Sequence, residues 1–251
     1  MMQQIILITD GCSNVGVSPV IAAAHAKAEQ IVVNVIGVID QGELGELGAF
    51  EIQEIAQSGG GMSRVVTSDQ LSQTVQMMTR KTVMNTIQQA VGAELKQILG
   101  HSSPLELPPD QRSRVVQVMD DLSETSSLRV ALLIDASASM KPKLAAVKEA
   151  IYDLQLSLQA RSGESELTVF HFPGTGGEEV VMDIGWTKNV ANLSKLFYKI
   201  NMKGTTPTGP AMLHVVQFMT GRSADNRGLT DTGRHVAASD TKDGMLSDYI
   251  V

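Results

Sequence analysis

Residues 5–10 read IILITD, an apolar run that ends in Asp10 and is followed at once by Gly11. Apolar runs of this length, bounded by a turn, are typical of strands buried on both faces of a parallel sheet. Open α/β sheets bind their ligands at the carboxyl ends of such strands. The stretch therefore predicts a central strand that carries Asp10 at the functional edge of the sheet.

The segments that follow alternate between helical and strand patterns. An Ala-rich segment at 18–30 predicts a helix, and the apolar run at 31–39 predicts a second buried strand. Residues 49–61 predict a helix that glycines end, and 62–67 predict a short third strand. A β-α-β-α-β succession is the pattern of a parallel sheet with helices on its faces.

The pattern changes at Ser68. Apolar residues recur every three or four positions from Leu71 to about Leu99. A second amphipathic segment, with Val115, Val118, Met119 and Leu122 on one face, follows a turn-rich break. As one straight helix the first segment would extend on the order of 45–50 Å. Because this exceeds what a sheet requires, we expect part of it to project or bend. We interpret 68–127 as an inserted helical hairpin that bridges two α/β pieces.

Strand and helix patterns resume after this bridge. Strands are predicted at 129–135, 166–172 and 179–186, the last two as an antiparallel hairpin, and helices at 143–160, 192–200 and 209–219. Beyond Thr220 the chain is rich in Gly, Ser, Thr and Asp and has little periodicity. We therefore expect 220–251 to be a mostly disordered tail.

Composition limits the class of protein. The chain has 251 residues, of which 43% are hydrophobic and 19% charged, as in soluble globular proteins. The net charge of −7 and the lack of a basic stripe argue against a nucleic-acid partner. No segment is long and apolar enough to cross a membrane, and no leader is evident. The single cysteine, Cys12, cannot form an internal disulfide, so we expect a reducing, bacterial-type cytoplasm.

A group of oxygen-bearing side chains stands at the end of one predicted strand. Asp135, Ser137 and Ser139 form the motif DASAS directly after the run VALLI. Hard divalent cations such as Mg²⁺ prefer oxygen ligands, and a turn that leaves a strand can direct alternate residues into one crevice. Taken alone, the motif is also compatible with serines that cap a turn.

Two further motifs extend this pattern. Together with GTTPTG at 204–209 and ITDG at 8–11, DASAS resembles the metal-ion-dependent adhesion site of von Willebrand factor type A (VWA) domains. The resemblance implies a bound Mg²⁺, with Mn²⁺ or Ca²⁺ as alternatives. The ligands it implies are Asp135, Ser137, Ser139 and Thr206, with Asp10 holding the metal, often through water. Thr208, in the same loop, offers a second hydroxyl, although we favour its interpretation as the cap of the helix predicted to start at Gly209.

The order of these motifs differs from that of the family, in which the Asp-x-Ser-x-Ser strand comes first and the Thr-Asp-Gly strand fourth. Here residues 1–67 resemble the second half of the domain and 128–219 the first half. We therefore expect a circularly permuted, doubly wound α/β fold with a mostly parallel six-stranded sheet, VWA- or Rossmann-like. In it, Asp10 and Asp135 should lie side by side. A swapped homodimer, in which the halves pair between chains, is the alternative.

The resemblance implies a binding function without catalysis. In the family, a partner protein supplies an Asp or Glu to the open position of the cation. Intracellular relatives act as adaptors, some beside ring-shaped ATPases, so an ATPase or a signalling protein is a candidate partner. One alternative is a metal-dependent phosphatase or hydrolase, although Ser137 stands where haloacid-dehalogenase-like phosphatases carry a second Asp. Another is a scaffold that binds through 68–127 and uses the metal only structurally.

Overall fold

The computed structural model describes residues 1–11, 13–39, 45–99, 104–174, 178–189 and 205–221. Cys12, the predicted helix at 192–200 and all but the first two residues of the predicted tail lie outside the described residues. In chain order the elements are β1 Met2–Thr9, α1 Pro19–Ala28, β2 Ile31–Ile39, α2 Glu46–Ser58, β3 Gly60–Thr67, α3 Leu71–Leu99, α4 Pro109–Thr125, β4 Leu128–Asp135, α5 Leu144–Gln159, β5 Ser165–Phe172, β6 Val181–Thr187 and α6 Thr208–Met219.

The strands form one sheet in the order β3-β2-β1-β4-β5-β6. All neighbours run parallel except β5 and β6, which are antiparallel. Ile8 of β1 aligns with Ile36 of β2 on one side and with Ile134 of β4 on the other. The predicted α/β class with a mostly parallel, six-stranded, Rossmann-like sheet is thus confirmed, and β1 is the central strand that its apolar run predicted.

Each face of the sheet is covered by its own hydrophobic cluster. Ile6 and Ile8 of β1 pack on the side of α3 and α5, whereas Ile5 and Leu7 pack on the side of α1, α2 and α6. All four side chains are fully buried. Burying an aliphatic side chain stabilises a fold by about 1.5–3 kcal/mol, so a strand that is apolar on both faces is held firmly at the centre.

The two helices between β3 and β4 differ in how much they bury. The first half of α3 lies on the sheet, with Leu71, Val75 and Met78 fully buried, whereas residues 88–90 are exposed. In α4, Met119 is buried, but Val118 is 53% exposed and Leu122 39% exposed. The apolar face predicted for α4 is therefore covered only in part. Within the described residues, no helix combines the length and hydropathy needed to cross a bilayer.

Candidate metal-binding site

The carboxyl ends of β1 and β4 bring two distant parts of the sequence together. The strands are paired through Ile8 and Ile134, so Asp10 and Asp135 emerge at the same edge of the sheet. The hydroxyl of Thr9 donates a hydrogen bond to Asp135 Oδ2 at 2.7 Å, although the residues are 126 positions apart. Asp10 and Asp135 thus lie at the ends of neighbouring strands, as predicted.

The turn after β4 connects the two aspartates. The backbone N–H of Ser137 donates to Asp135 Oδ1 at 2.8 Å, and the Ser137 and Ser139 hydroxyls lie 3.2 Å apart. The Ser139 hydroxyl in turn donates to Asp10 Oδ1 at 2.9 Å. The backbone N–H of Ala136 donates to the Phe172 carbonyl at 2.6 Å, which fixes the turn against β5. Four of the five predicted ligands thus form one hydrogen-bonded chain.

The fifth predicted ligand, Thr206, lies in the loop before α6 at the same edge. Its backbone N–H donates to Asn14 Oδ1 at 2.8 Å, and its carbonyl accepts from the hydroxyl of Ser13 at 3.2 Å. These bonds attach the loop to the segment that follows Asp10. Thr208 does not cap the helix as predicted: α6 begins one residue earlier, with Thr208 itself, and Pro207 occupies the N-cap position.

A lysine that the sequence analysis did not single out completes the cluster. Lys143 Nζ lies 2.5 Å from Asp10 Oδ2, and the two side chains are only 11% and 4% exposed. Lys143 is the last residue of the 3-10 turn Ala138–Lys143, which directly precedes α5. We call the set Thr9, Asp10, Asp135, Ser137, Ser139 and Lys143 the Asp135 cluster.

The two aspartates have different electrostatic environments. Burial raises the pKa of the Asp135 carboxyl above its ordinary value, an effect that hydrogen bonds from Ser137 and Thr9 oppose and the nearby charge of Asp10 reinforces. Among the described residues, no basic side chain forms an ion pair with Asp135, whereas Asp10 has Lys143. An ionised Asp135 therefore has no positively charged partner among the described residues.

These donors fit a hard divalent cation in type. Carboxylate and hydroxyl oxygens are the ligands of Mg²⁺, which also retains several waters, and a cation would relieve the buried charge of Asp135. The described residues contain no group of three or more His, Cys, Asp or Glu side chains suited to a metal. An ion here would hence depend on the serine and threonine hydroxyls and on water beside two carboxylates.

Comparison with known proteins relates most of the chain to bacterial relatives. No family model matches the sequence. The uncharacterized protein YabS of Bacillus subtilis (strain 168) is 48% identical over 212 residues, which cover 84% of this chain and 86% of that protein. A crystal structure of an uncharacterized protein from Alicyclobacillus acidocaldarius subsp. acidocaldarius DSM 446 superposes with a TM-score of 0.83. It is 42% identical, and the match covers 88% of this chain and 94% of that one. At this identity and coverage, the chain belongs to the family of Bacillus subtilis YabS.

Proposed function

We propose that this protein is a Mg²⁺-dependent protein-interaction module of the bacterial cytoplasm, whose cation binds an Asp or Glu of a partner. The observation that carries the proposal is the hydrogen-bonded chain from Asp135 through Ser137 and Ser139 to Asp10. It joins two motifs 125 residues apart on neighbouring strands, at the sheet edge where α/β folds bind ligands.

The proposal includes a permuted VWA-like domain in one chain. The family numbers its strands from the one that ends in the Asp-x-Ser-x-Ser motif, which is β4 here. In that numbering β4, β5 and β6 are the first three strands, and β1, β2 and β3 are the last three. The sheet order then corresponds to 3-2-1-4-5-6, with the second and third of these strands antiparallel. In this arrangement α3 and α4 bridge the original ends. Light scattering distinguishes this arrangement from a swapped homodimer, which would have twice the mass of one chain.

The proposed ligands would contribute to cation binding in two ways. Asp135 and Asp10 supply two negative charges, while Ser137, Ser139 and Thr206 supply neutral hydroxyl oxygens. When bound, the ion supplies a positive centre at which a further carboxylate can bind. Since the two carboxylates only balance the charge of a divalent ion, the site retains attraction for an acidic residue of a partner, such as an ATPase or a signalling protein.

Calorimetric titration of Mg²⁺ into the metal-free protein tests the site. We expect the wild type to bind with measurable heat and Asp135→Asn, which keeps the shape but loses the charge, to bind at least tenfold more weakly. Asp121→Asn, which removes an exposed aspartate on α4, is the matched control and should bind like the wild type. Equal heats for the wild type and Asp135→Asn would contradict the proposal.

A second measurement tests whether the cation binds a carboxylate. With Mn²⁺ in place of Mg²⁺, acetate that enters the metal's coordination shell should show accelerated relaxation of its methyl protons. We expect this acceleration with the wild type and Asp121→Asn, in excess of that from free Mn²⁺, and not with Asp135→Asn. If bound Mn²⁺ leaves acetate unaffected, the cation has no position open to a partner's carboxylate.

One observation favours a second candidate, the scaffold that binds through the helices. Val116, Val118 and Leu122 of α4 are 46%, 53% and 39% exposed, which leaves apolar surface on this helix. Binding through α4 predicts that a partner remains bound in EDTA and in the Asp135→Asn variant. Binding through the cation predicts that both treatments release it. Turnover of p-nitrophenyl phosphate that Asp135→Asn abolishes would instead favour the phosphatase alternative.

A further inference from the structure

Lys143 makes an ion pair with one of the proposed cation ligands. Its Nζ contacts Asp10 Oδ2, while the other oxygen of the same carboxylate accepts from Ser139. The pair is almost completely buried. An ammonium group therefore lies at the carboxylate that is proposed to hold the metal. Its positive charge opposes the binding of a cation at that carboxylate.

We propose that Lys143 is a built-in competitor of the divalent cation: its ammonium neutralises Asp10 in the cation-free protein and is displaced from that carboxylate when the ion binds. This inference rests on the proposed function, because it concerns the same site. It adds Lys143 as a residue that sets the affinity and selectivity of the site for cations. It also predicts the net charge of the site with the cation bound.

The position of Lys143 is fixed by local structure rather than by chance contact. The 3-10 turn Ala138–Lys143 contains Pro142, which restricts the backbone just before the lysine, and Met140 of the same turn is fully buried. Only the aliphatic side chain of Lys143 remains to move. Displacement of the ammonium from Asp10 thus requires rotation of this side chain, whereas the backbone of the turn can stay in place.

Competition of this kind discriminates between cations by charge. A monovalent ion would exchange one positive charge at Asp10 for another and gain little. A divalent ion interacts with both Asp10 and Asp135, and its attraction for each carboxylate is twice as strong at equal distance. Lys143 therefore opposes occupation of the site by Na⁺ or K⁺ more effectively than occupation by Mg²⁺.

The displaced ammonium also changes the charge that a partner meets. With a divalent ion, two carboxylates and one lysine at the edge, the loaded site has one net positive charge, whereas the cation-free cluster has one net negative charge. A partner's Asp or Glu is repelled by the cation-free form and attracted by the loaded form. Lys143 sharpens the dependence of partner binding on the cation, because it makes the loaded site positive.

The test compares Mg²⁺ affinity in Lys143→Gln and in the control Lys141→Gln, measured by calorimetry with metal-free protein. Both variants lose one positive charge from the same turn, but Lys141 is exposed. We expect Lys143→Gln to bind Mg²⁺ at least tenfold more tightly than Lys141→Gln, which corresponds to about 1.4 kcal/mol. Lys143→Arg, which keeps the charge, should bind no more tightly than the wild type.

A double-mutant cycle locates the competition at Asp10. If Lys143 acts through this carboxylate, Asp10→Asn should remove most of the gain, so that Asp10→Asn with and without Lys143→Gln differ by less than threefold. A tenfold gain that persists in the Asp10→Asn background would place the effect elsewhere and overturn the inference. Circular dichroism of each variant checks that the fold is retained.

The outcomes separate this inference from the proposed function. Mg²⁺ binding by the wild type with equal affinities in the two glutamine variants overturns the role of Lys143 and leaves the metal site intact. Binding in Lys143→Gln that is undetectable in the wild type supports the role of Lys143 but contradicts the function proposed for the wild-type protein. Absence of Mg²⁺ binding in the wild type and in folded Lys143→Gln overturns both.

Discussion

Two buried polar clusters lie along the central strands, and they differ in charge. In the first, which we call the Asn34 cluster, the amide of Asn34 on β2 contacts Gln4 Oε1, the Thr82 hydroxyl of α3 and the backbone N–H of Met62, all at 2.9–3.2 Å. The Asp135 cluster lies at the carboxyl edge of the sheet and contains two carboxylates and one ammonium.

The difference indicates which cluster serves the fold and which one can serve a ligand. The Asn34 cluster contains only neutral amides and hydroxyls, so it needs no counter-charge from outside. Its members bond one another except at Gln4 Nε2, which is buried without a hydrogen-bond partner among the described residues. The Asp135 cluster contains one more negative than positive group, and a buried charge without a counter-charge is costly. We therefore expect the first cluster to dominate stability and the second to respond to added cations.

Asn34→Ala should give the largest effect and is the strongest test of this contrast. The substitution leaves Gln4, Thr82 and the Met62 N–H without their buried partner and also opens a small cavity. We expect the free energy of unfolding to fall by about 3 kcal/mol. Urea denaturation followed by circular dichroism measures this, and affinity for Mg²⁺ should remain that of the wild type in the folded fraction.

The matched control is Asn85→Ala on α3, where the asparagine is only half-buried. It should change the free energy of unfolding by less than 1 kcal/mol. If Asn34→Ala were as mild as this control, the Asn34 cluster would not be the structural element that the contrast requires.

Gly209→Ala should give a smaller loss of stability, directed at the loop that contains Thr206. A Cβ atom at this glycine would lie 1.8 Å from the Val17 carbonyl oxygen, so the start of α6 must move away from the segment after β1. We expect a loss of about 2 kcal/mol, together with weaker Mg²⁺ binding, because the Thr206 loop shifts. Denaturation and titration measure the two effects.

Gly185→Ala on β6 is the appropriate comparison, since a Cβ atom there would meet nothing within 4 Å. It should change the free energy of unfolding by no more than about 0.5 kcal/mol and leave the affinity for Mg²⁺ unchanged. Retention of full stability by Gly209→Ala would show that α6 and the β1 segment are not in tight contact.

The sequence predicted the elements that strong local patterns define. The apolar runs that became β1 and β4 are short and bounded by turn residues, which favours strands buried on both faces over a buried helix. The resemblance of ITDG and DASAS to the VWA site then implied that Asp10 and Asp135 lie at neighbouring strand ends, an arrangement that the sheet has. The assignment of these residues to a metal remains a prediction.

Contacts between distant residues could not be predicted in the same way. Lys143 stood at the start of a predicted helix, and no periodicity relates it to Asp10, 133 positions away. The Asn34–Thr82 bond likewise joins a strand to a helix 48 positions later. Within α4, Val118 repeated with helical spacing but is exposed, because burial depends on which neighbouring element covers a face.

The smallest effect concerns Asp135→Asn in metal-free protein at pH 7, and its sign is opposite to that of Asn34→Ala. Asn retains the hydrogen bonds. Its carbonyl can accept from the Ser137 N–H, and its amide can donate to the Thr9 hydroxyl. That hydroxyl can then donate to its alternative acceptor, the Gly11 carbonyl. Because the buried charge is removed, we expect the free energy of unfolding to rise by an amount on the order of 1 kcal/mol. Saturating Mg²⁺ should reverse the order, since the wild type binds the ion at least tenfold more tightly than the variant and is therefore stabilised more.

The pH dependence of this difference identifies its cause. The folded pKa of Asp135 is raised, chiefly by burial, so the folded carboxyl holds its proton more tightly than the unfolded one. As the pH falls through that raised pKa towards the unfolded value of about 3.9, protonation therefore favours the folded wild type. The advantage of Asp135→Asn should be greatest at neutral pH and should shrink on acidification, as urea denaturation of metal-free protein in steps from pH 7 down to about pH 4 would measure. An advantage that is independent of pH would attribute the effect to packing or hydrogen bonding instead of charge, and the electrostatic contrast between the two clusters would then be wrong.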